Sequence, residues 1–460
     1  ALTANTTGTA NIAIGAYAFH TNTTGGNNTY IGDGAGQNQT TASYNVGIGK
    51  DALKANTTGS GNVAVGYQAG EDYAEGTATF IGNEAGKNVT TGDYPVAVGH
   101  KAMGGGTCTG NYNCGVGHYA LYAVTSGTEN TAVGTALYNV TTQNGNTAVG
   151  YAALANCEAA ANTALGRAAL NATTTGSYNV SVGYNSLEAN TTGQHNVAIG
   201  ALALDACTSG QYNTAVGYQS LSATTTASWN TAVGRFALAN CSSGTSNTAL
   251  GHNAGGGSMT GSNSIYIGPN AGASVTSGGD NVIIGAGAGQ DVNAVTTGGS
   301  HVLIGRQAYA SSATVTYEIV LGKQSYGKGN ETFYCRGSAY NGSNSSSWST
   351  TSDERIKKNI VDNTIGLDAI NQIRVRNFEY RTPEEVDSAL PSHAAINKQG
   401  VQLGCIAQEI KEVLPDVVKL ESTGAYSVNP DNLTWYLINA VKELSAENAS
   451  IKERLASLES

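Results

Sequence analysis

The stretch Asn213-Thr214-Ala215-Val216-Gly217 decides the fold of this chain, because it returns as Asn230-Thr231-Ala232-Val233-Gly234 seventeen residues later. In this form or a close variant, the signature ends on nineteen glycines: Gly15, Gly32, Gly49, Gly66, Gly82, Gly99, Gly117, Gly134, Gly150, Gly166, Gly183, Gly200, Gly217, Gly234, Gly251, Gly268, Gly285, Gly305 and Gly322. Most neighbouring glycines are seventeen residues apart, with a few intervals of sixteen, one of eighteen and one of twenty. A pitch this constant is typical of a solenoid-like rod and not of a globular enzyme.

Each repeat unit reads as one short strand followed by turns. The residue before the motif glycine is always Ile, Val or Leu, and the residue three before it is β-branched in every unit except the one with Cys114. The residue between them is usually small, as in Ala132, which gives the period-two alternation of a strand with one buried face. The glycine ends the strand, where a turn needs positive φ or a close backbone approach. Ala or Ser stands three residues after it in every unit but the one with Leu137, which predicts tight packing.

Asparagine marks a further column of the repeat. It stands four residues before the glycine in fourteen of the nineteen units, for example Asn62 and Asn213. We expect these amides to form hydrogen-bonded ladders along the rod and not to bind a ligand. One unit buries only a few aliphatic side chains, which is too little to offset backbone ordering of about 1–2 kcal/mol per residue. The units must therefore stack, and we expect the rod to associate laterally with other chains.

The repeat resembles two kinds of known fibrous protein. It is similar to the head repeats of trimeric autotransporter adhesins, in which Asn-x-Ala-Ile-Gly units form a trimeric left-handed parallel β-roll, and to the shafts of phage tail fibres. The resemblance covers residues 1 to about 322 and implies an all-β shaft, a trimeric parallel β-roll or solenoid of about seventeen residues per rung. At about 4.8 Å per rung, the nineteen rungs would span roughly 90 Å.

Charge separates the repeat region from a C-terminal domain. The chain has 22 basic and 32 acidic residues, of which 29 lie in residues 352–460 and only 25 in the first 351 positions. We therefore predict a repeat shaft over 1–322, a polar neck over 323–351 and a second domain over 352–460. The net charge of −10, with no basic stripe, argues against a nucleic-acid partner. No run of eighteen apolar residues exists, so we expect no membrane insertion.

The seven cysteines and seven histidines predict no metal site, and the sequence predicts no cofactor. Cys157, Cys207 and Cys241 each fall seven residues after a motif glycine and are interpreted as buried small residues, with disulfides between chains or rungs as the alternative. Cys108 and Cys114 match no strong metal-ligand spacing, and the histidines form no spaced cluster. Tyrosines one or two residues after the glycine, as at position 151, are interpreted as structural cover, with sugar binding as the alternative.

A different set of motifs follows residue 351. In order they are Ser352-Asp353-Glu354-Arg355-Ile356-Lys357-Lys358-Asn359-Ile360, an amphipathic helix from Ile365 to Ile370, a strand from Val375 to Tyr380, Gly404-Cys405-Ile406-Ala407-Gln408-Glu409-Ile410, Leu414-Pro415, and Tyr426-Ser427-Val428 before a terminal helix. Together they resemble the endosialidase-type intramolecular chaperone, a self-cleaving serine peptidase module at the end of phage tail spikes and fibres. The resemblance spans 352–460. It implies that this α+β domain drives trimer folding and then cuts itself off.

The same resemblance assigns site residues. It places the cut between Thr351 and Ser352, with Ser352 as the nucleophile and Lys357 as its general base, and Asp353 and Arg355 belong to the same motif. A lysine acts as a base when burial or a neighbouring cation lowers its pKa, and the neighbouring cations here are Arg355 and Lys358. We predict no other catalytic activity.

The spacing of these residues is weak evidence by itself. A serine and a lysine five positions apart are common. Thr351-x-x-Glu354 is also a capping box, and Ser352 or Asp353 would cap a helix well.

The terminal helix carries a heptad pattern. Its apolar positions alternate by four and three: Leu437, Val441, Leu444, Asn448, Ile451, Leu455 and Leu458. This predicts a short parallel coiled coil of two or three copies, in which the polar Asn448 fixes register and oligomeric state. The alternative is an amphipathic helix packed on its own domain.

These patterns favour the distal part of a phage tail fibre, a homotrimeric adhesion shaft exposed on the outside of a virion. Its expected partners are two further copies of the chain, a host cell-surface glycan or protein, and other tail proteins reached through a part that precedes the first repeat. The alternatives are a fragment of a bacterial trimeric surface adhesin and a polysaccharide-degrading tail spike. The second needs paired carboxylates in a cleft. The few shaft acids, such as Asp51 and Glu129, lie in no insertion large enough to form one.

Overall fold

The computed structural model describes residues 1–290, 295–335, 353–382, 384–390, 396, 398–421 and 424–459. Among them, twenty three-residue strands, β1–β20, form one parallel sheet in which each strand pairs with the next along the chain. In chain order their bounds are Ile12–Ile14, Thr29–Ile31, Val46–Ile48, Val63–Val65, Thr79–Ile81, Val96–Val98, Cys114–Val116, Thr131–Val133, Thr147–Val149, Thr163–Leu165, Val180–Val182, Val197–Ile199, Thr214–Val216, Thr231–Val233, Thr248–Leu250, Ile265–Ile267, Val282–Ile284, Val302–Ile304, Ile319–Leu321 and Phe333–Cys335. The predicted parallel β-solenoid is confirmed.

The sheet extends one strand beyond the repeat signature. β1–β19 are the motif strands, whereas β20 pairs with β19 from within the segment 323–351 that we predicted as a neck. No glycine follows Cys335 at the end of β20, so the signature does not reveal this last strand. The rest of the predicted neck, from residue 336 onward, lies outside the described residues.

Each strand from β2 to β19 buries its middle residue and directs the two flanking residues outward. In β12, Ala198 is fully buried whereas Ile199 is 40% exposed. In-register pairing aligns Ala198 with Ala215 and Ile199 with Val216, so equivalent positions of successive turns form straight rows. The predicted alternation is confirmed. The small middle residue of the strand faces the interior, and the larger residues on either side of it point away from the interior.

The interior combines one row of side chains from the strands with one row from the turns, and their sizes are complementary. An ordinary turn supplies Ala148 from the strand and Leu154 six residues later, and both are fully buried. Where the strand supplies Tyr30 instead, the residue six positions later is Gly36, and a Cβ there would lie 2.5 Å from Cε1 of Tyr30. The same exchange pairs Phe80 with Gly86, Tyr266 with Gly272 and Ile283 with Gly289. The interior therefore stays closely packed although individual positions change size.

The predicted asparagine ladder is present. The backbone N–H of Asn213 donates to Oδ1 of Asn196 at 3.0 Å, and the Nδ2 of Asn196 donates to the carbonyl of Gly210 at 2.8 Å. Both asparagines are fully buried, and the same pair of bonds recurs along the shaft, for example at Asn28 and Asn162. Each amide thus satisfies one backbone donor and one backbone acceptor that the interior would otherwise leave unpaired.

The ladder ends in a histidine and a glutamate. The backbone N–H of His301 donates to Oδ1 of Asn281 at 3.1 Å, and Nδ1 of His301 accepts from the backbone N–H of Glu318 at 3.4 Å. His301 therefore occupies the position of an asparagine, with Nδ1 in the role of the amide oxygen, while its buried Nε2 makes no hydrogen bond within the described residues. The buried carboxylate of Glu318 accepts from the backbone N–H groups of Ser311 and Gly329 at 2.9 and 2.7 Å, which closes the ladder.

The motif glycines lie where successive turns come closest. Gly200 has φ +134°, and a Cβ on it would lie 2.5 Å from the carbonyl oxygen of Gly217 in the next turn. A side chain there would clash with backbone, which cannot move without breaking the stack. This is why the signature keeps its glycine in all nineteen units.

The cysteines that recur in the shaft repeat are buried, whereas the tyrosines after the motif glycine are exposed. All seven cysteines are free, and Cys157, Cys207 and Cys241 are fully buried, as interpreted from the sequence. Burial raises the pKa of each of these three thiols to about 11. The tyrosines after the motif glycine, in contrast, are 43–65% exposed: Tyr17, Tyr67, Tyr151, Tyr184 and Tyr218. The interpretation of these tyrosines as structural cover stays a prediction.

The C-terminal domain contains three helices and two short antiparallel ladders among its described residues. Its elements are a 3-10 helix at Glu354–Ile356, α1 at Leu367–Gln372, β21 at Arg376–Phe378, β22 at Gln402–Gly404, α2 at Ala407–Val413, a 3-10 helix at Pro415–Val417, β23 at Val418–Leu420, β24 at Tyr426–Val428 and α3 at Pro430–Glu459. β21 pairs with β22, and β23 pairs with β24. The helices and strands predicted from the motifs are present, within a few residues.

Candidate functional site in the C-terminal domain

One face of α3 packs against the rest of the domain. Tyr436 and Ala440 are buried in it, and Tyr436 joins a small core with Ile410, Leu414 and Val417. The hydroxyl of Tyr436 donates to a carboxylate oxygen of Asp416 at 2.6 Å. These contacts attach the first turns of α3 to α2 and to the short helix that follows it.

A carboxylate from α3 caps α1. The N-terminus of α1 follows Gly366, which has no side chain to cap it, and the backbone N–H of Leu367 donates to Oε2 of Glu443 at 2.6 Å. A Cβ at position 366 would collide with the Glu443 carboxylate, so the glycine leaves room for the cap. Nearby, Nδ2 of Asn439 donates to the carbonyls of Asn363 and Ile365 at 2.9 and 3.2 Å. The chain before α1 and α1 itself are thus held on α3.

Two arginines converge on one glutamate of the Gly-Cys-Ile-Ala-Gln-Glu segment. An Nη2 donates from each of Arg374 and Arg376 to Oε1 of Glu409, at 2.9 and 2.8 Å. The hydrogen bonds from Arg376 and the charge of Arg374 hold the pKa of Glu409 below its usual value. Sequence reasoning missed this cluster, although Arg376 and Glu409 lie in the motifs that carry the resemblance and Arg374 directly precedes one of them. The group is exposed, so its ion pairs connect β21 to α2 with little net stabilisation.

The predicted cleavage motif begins at the edge of the described residues. Thr351 and Ser352 lie outside them, whereas Asp353, Arg355 and Lys357 lie inside. Asp353 caps the 3-10 helix Glu354–Ile356, because its Oδ1 accepts from the backbone N–H of Arg355 at 2.9 Å. The capping interpretation is therefore confirmed for Asp353.

The charged side chains of this motif are exposed. Nε of Arg355 donates to Oδ1 of Asp353 at 3.0 Å, and the bonds from Arg355 lower the pKa of that carboxyl. The backbone N–H of Lys357 closes the turn on the carbonyl of Glu354 at 3.0 Å, and its side chain lies at the surface. One chain thus gives Lys357 none of the burial that activates a lysine base. The Ser352–Lys357 pair stays a prediction.

The heptad row of α3 lies on the face turned away from the core. Its six apolar members, Leu437, Val441, Leu444, Ile451, Leu455 and Leu458, are all between 47% and 83% exposed, and Asn448 is exposed among them. The row shares no member with the packed face that carries Tyr436 and Ala440. The alternative from the sequence, a helix packed on its own domain, holds for the first turns of α3, and the coiled coil of the heptad row stays a prediction.

A metal site and a membrane-spanning helix each place requirements on the described residues. They contain no group of three or more His, Cys, Asp and Glu side chains placed to hold a metal ion. In the same part of the chain, no helix combines the length and the hydropathy that crossing a membrane requires.

Comparison with known proteins identifies the C-terminal domain. The family model described as chaperone of endosialidase matches residues 352–419, from the predicted nucleophile through most of β23. No solved structure matches the chain. The match stops before β24 and α3 and leaves out the repeats. The chain is therefore a parallel β-solenoid followed by a domain similar to the chaperone of endosialidase.

Proposed function

We propose that this chain is the distal part of a phage tail fibre, in which three parallel copies form the shaft and the C-terminal domain promotes their assembly. The shaft serves host adhesion on the outside of the virion, and other tail proteins hold it through a preceding part. A solenoid shaft that ends in a domain similar to the chaperone of endosialidase fits a tail fibre or a spike-like protein.

The observation that carries the proposal is the exposed heptad row of α3. Six apolar side chains at heptad spacing point to solvent in one chain, while the other side of the helix packs on the domain. A row of this length is stable in water only when other helices cover it, and parallel copies of the same helix supply matching rows. Since the row begins on the opposite side of the turns that pack on the domain, three domains joined along it would bring three shafts into register.

Assembly also supplies what the cleavage motif lacks. The hydroxyl of Ser352 attacks the carbonyl carbon of Thr351 while the neutral amine of Lys357 takes the hydroxyl proton. The peptide C–N bond breaks, the Ser352 amine leaves with a proton, and an ester joins the two residues. Water then hydrolyses the ester, which frees the Thr351 carboxylate and restores the hydroxyl. Lys357 is exposed in one chain, and neighbouring chains would bury it in the assembly.

The test compares three substitutions in the full chain. Wild type should release a fragment of residues 352–460 on a denaturing gel, whereas Ser352→Ala and Lys357→Ala should stay whole. Lys398→Ala is the matched control, because it removes an exposed lysine outside the cleavage motif and should still be cut. Cleavage that persists in Ser352→Ala would refute the assigned nucleophile.

Assembly is tested separately by removing 353–460. The shortened chain should be insoluble or aggregated, because nothing brings three shafts together while their apolar rows are exposed. A soluble, monomeric shaft would show that the rod folds unaided and would remove the chaperone from the account.

A further inference from the structure

The outward side of the sheet is apolar along its whole length. We call it the strand face: the first and third side chains of β1–β19. Every one of these positions holds Ile, Val, Leu, Thr or Cys, and none holds a charged residue. Members such as Ile14, Leu165 and Leu250 are 59%, 47% and 49% exposed. Because the strands pair in register, the side chains form two straight rows.

The strand face is large enough for a stable interface. Nineteen rungs at about 4.8 Å make it roughly 90 Å long, and three extended residues make it about 10 Å wide. The product, about 900 Å², matches the roughly 800 Å² that each partner contributes to a stable protein interface. It also exceeds the few hundred Å² of contiguous apolar surface that soluble monomers expose.

One edge of the strand face carries a stack of aromatic rings. We call it the aromatic row: Tyr178, His195, Tyr212 and Trp229, each five residues before a motif glycine. Neighbouring ring centroids are 5.1, 5.1 and 6.2 Å apart, and the rings are within 6° of parallel. All four side chains are exposed. Because the rings cover one another's faces, the row presents ring edges and polar atoms to whatever lies beside it.

The opposite edge carries arginines and tyrosines over the same turns of the shaft. We call it the arginine–tyrosine row: Arg167, Tyr184, Tyr218 and Arg235, each directly after a motif glycine. The guanidinium of Arg167 lies 5.3 Å from the centroid of Tyr184, and that of Arg235 lies 4.2 Å from the centroid of Phe236. Arginine and aromatic side chains are the residues most enriched at the centres of protein interfaces.

We propose that the shafts associate in parallel about a common axis, with the strand faces turned inward and the aromatic row of each chain lying along the arginine–tyrosine row of the next. The inference rests on the homotrimer proposed above and specifies the surface by which its shafts meet. A rotation about an axis along the rod keeps every turn at the same height. It therefore brings the left edge of one strand face to the right edge of its neighbour, at the same rung. Tyr212 of one chain then meets Tyr218 of the next.

This arrangement is specific to a ring of parallel chains. A two-fold pairing of antiparallel rods would set different rungs side by side, and faces turned outward would leave both edge rows in solvent. Within one chain the two edges do not meet, because the strand Thr214–Val216 separates Tyr212 from Tyr218 by roughly 15–20 Å of extended backbone. A disulfide needs Cα atoms within about 7 Å. A disulfide between these positions can therefore form only between chains.

The test uses cysteines at the two edges of one turn in the full chain. Tyr212→Cys with Tyr218→Cys, mildly oxidised, should give a covalent trimer on a non-reducing denaturing gel, because each chain is linked to both neighbours. Tyr212→Cys alone and Tyr218→Cys alone are the controls and should stay at the mass seen for wild type. Tyr178→Cys with Tyr218→Cys sets the cysteines two rungs apart, about 10 Å along the axis, and should not cross-link.

A second measurement tests the strand face without cysteines. Ile199→Asp places a charge at a position that one chain leaves 40% exposed, so a solitary rod would tolerate it. In the proposed assembly the charge is buried among three copies of itself, and soluble trimer should be lost. Thr192→Asp, at an exposed turn position of the same repeat unit, should assemble as wild type does.

The outcomes separate this inference from the proposed function. Two results would overturn the assigned interface and leave the homotrimer standing. One is a trimeric mass without a cross-link in Tyr212→Cys with Tyr218→Cys, and the other is a normal trimer from Ile199→Asp. Covalent dimers alone would also overturn it, because a closed ring links all three chains. A monomeric mass for wild type would overturn both.

Discussion

Exchanging the sizes of Tyr30 and Gly36 tests how the shaft interior is built. Tyr30 is fully buried and takes the volume that Leu154 fills in an ordinary turn, while Gly36 leaves that volume free. Tyr30→Ala alone should cost about 3–5 kcal/mol, the range for removing a large buried aromatic side chain. Gly36→Leu alone forces a Cβ to within 2.5 Å of Cε1 of Tyr30, and overpacking of this kind costs about 1–3 kcal/mol or more.

The double variant should be more stable than the sum of the two changes predicts. With Tyr30→Ala and Gly36→Leu together, the turn becomes an ordinary one with alanine in the strand and leucine six residues later, as at Ala148 and Leu154. Position 36 has φ +58° and Leu154 has φ +49°, so leucine accepts the backbone there. We expect a favourable coupling of about 0.5–3 kcal/mol.

The assay is the apparent melting temperature by circular dichroism at one scan rate and one protein concentration. The order should be wild type, then the double variant, then the two single variants. Tyr30→Ala combined with Gly86→Leu is the control, because Gly86 faces Phe80 and offers Tyr30 no compensation. A double variant no better than this control would refute the idea that the two rows exchange volume.

Three further perturbations test the ladder and the C-terminal helix. Burial lowers the pKa of His301, a shift that the charge of Glu318 opposes, so the neutral form is favoured in the fold and stability should fall as pH drops below the ordinary histidine value of 6.5. His301→Asn supplies an amide oxygen to accept from the backbone N–H of Glu318 and should flatten the melting temperature between about pH 8 and pH 5, and an unchanged slope would contradict the assignment. Asn196→Ala leaves a backbone N–H and a carbonyl without partners and should cost about 1–3 kcal/mol for each in thermal unfolding, whereas Asn139→Ala at an exposed amide should cost far less. Leu444→Asp should prevent assembly in light scattering, whereas Glu447→Gln, which changes a charge off the heptad row, should not; equal behaviour of the two would exclude the row as an interface.

Much of the shaft follows from its repeat. Ile or Val on either side of Ala198 predicts the strand, Gly200 predicts its end, and Asn196 predicts the ladder, because each position meets its equivalents in the neighbouring turns. The direction of the strand face could not be read the same way. Alternation defines two sides of the strand, and the turn decides which of them is buried. Leu204 from the turn packs in the interior, whereas Ile199 from the strand points away from it.

The exceptions to the repeat were visible but could not be interpreted from one unit. Tyr30 and Gly36 look like independent irregularities until the structure places one over the other. His301 breaks the asparagine column in sequence yet keeps its acceptor role, because Nδ1 of the imidazole accepts from the backbone N–H of the next turn as an amide oxygen does.

The C-terminal domain was recognised by its motifs, and its contacts were not. Glu443 caps α1 from 76 residues away, a partnership that no local spacing reveals. The heptad of α3 could be read from sequence because its period is local, but only the structure shows that Tyr436 and Ala440 hold the helix while the heptad row stays outside.

The mass of the intact assembly in solution tests the central claim most directly. Multi-angle light scattering on the Ser352→Ala variant, which should keep shaft and C-terminal domain in one chain, should give three times the 46.7 kDa of a single chain. A single species at 46.7 kDa would contradict the account, because one chain would then be stable with both its strand face and its heptad row in water.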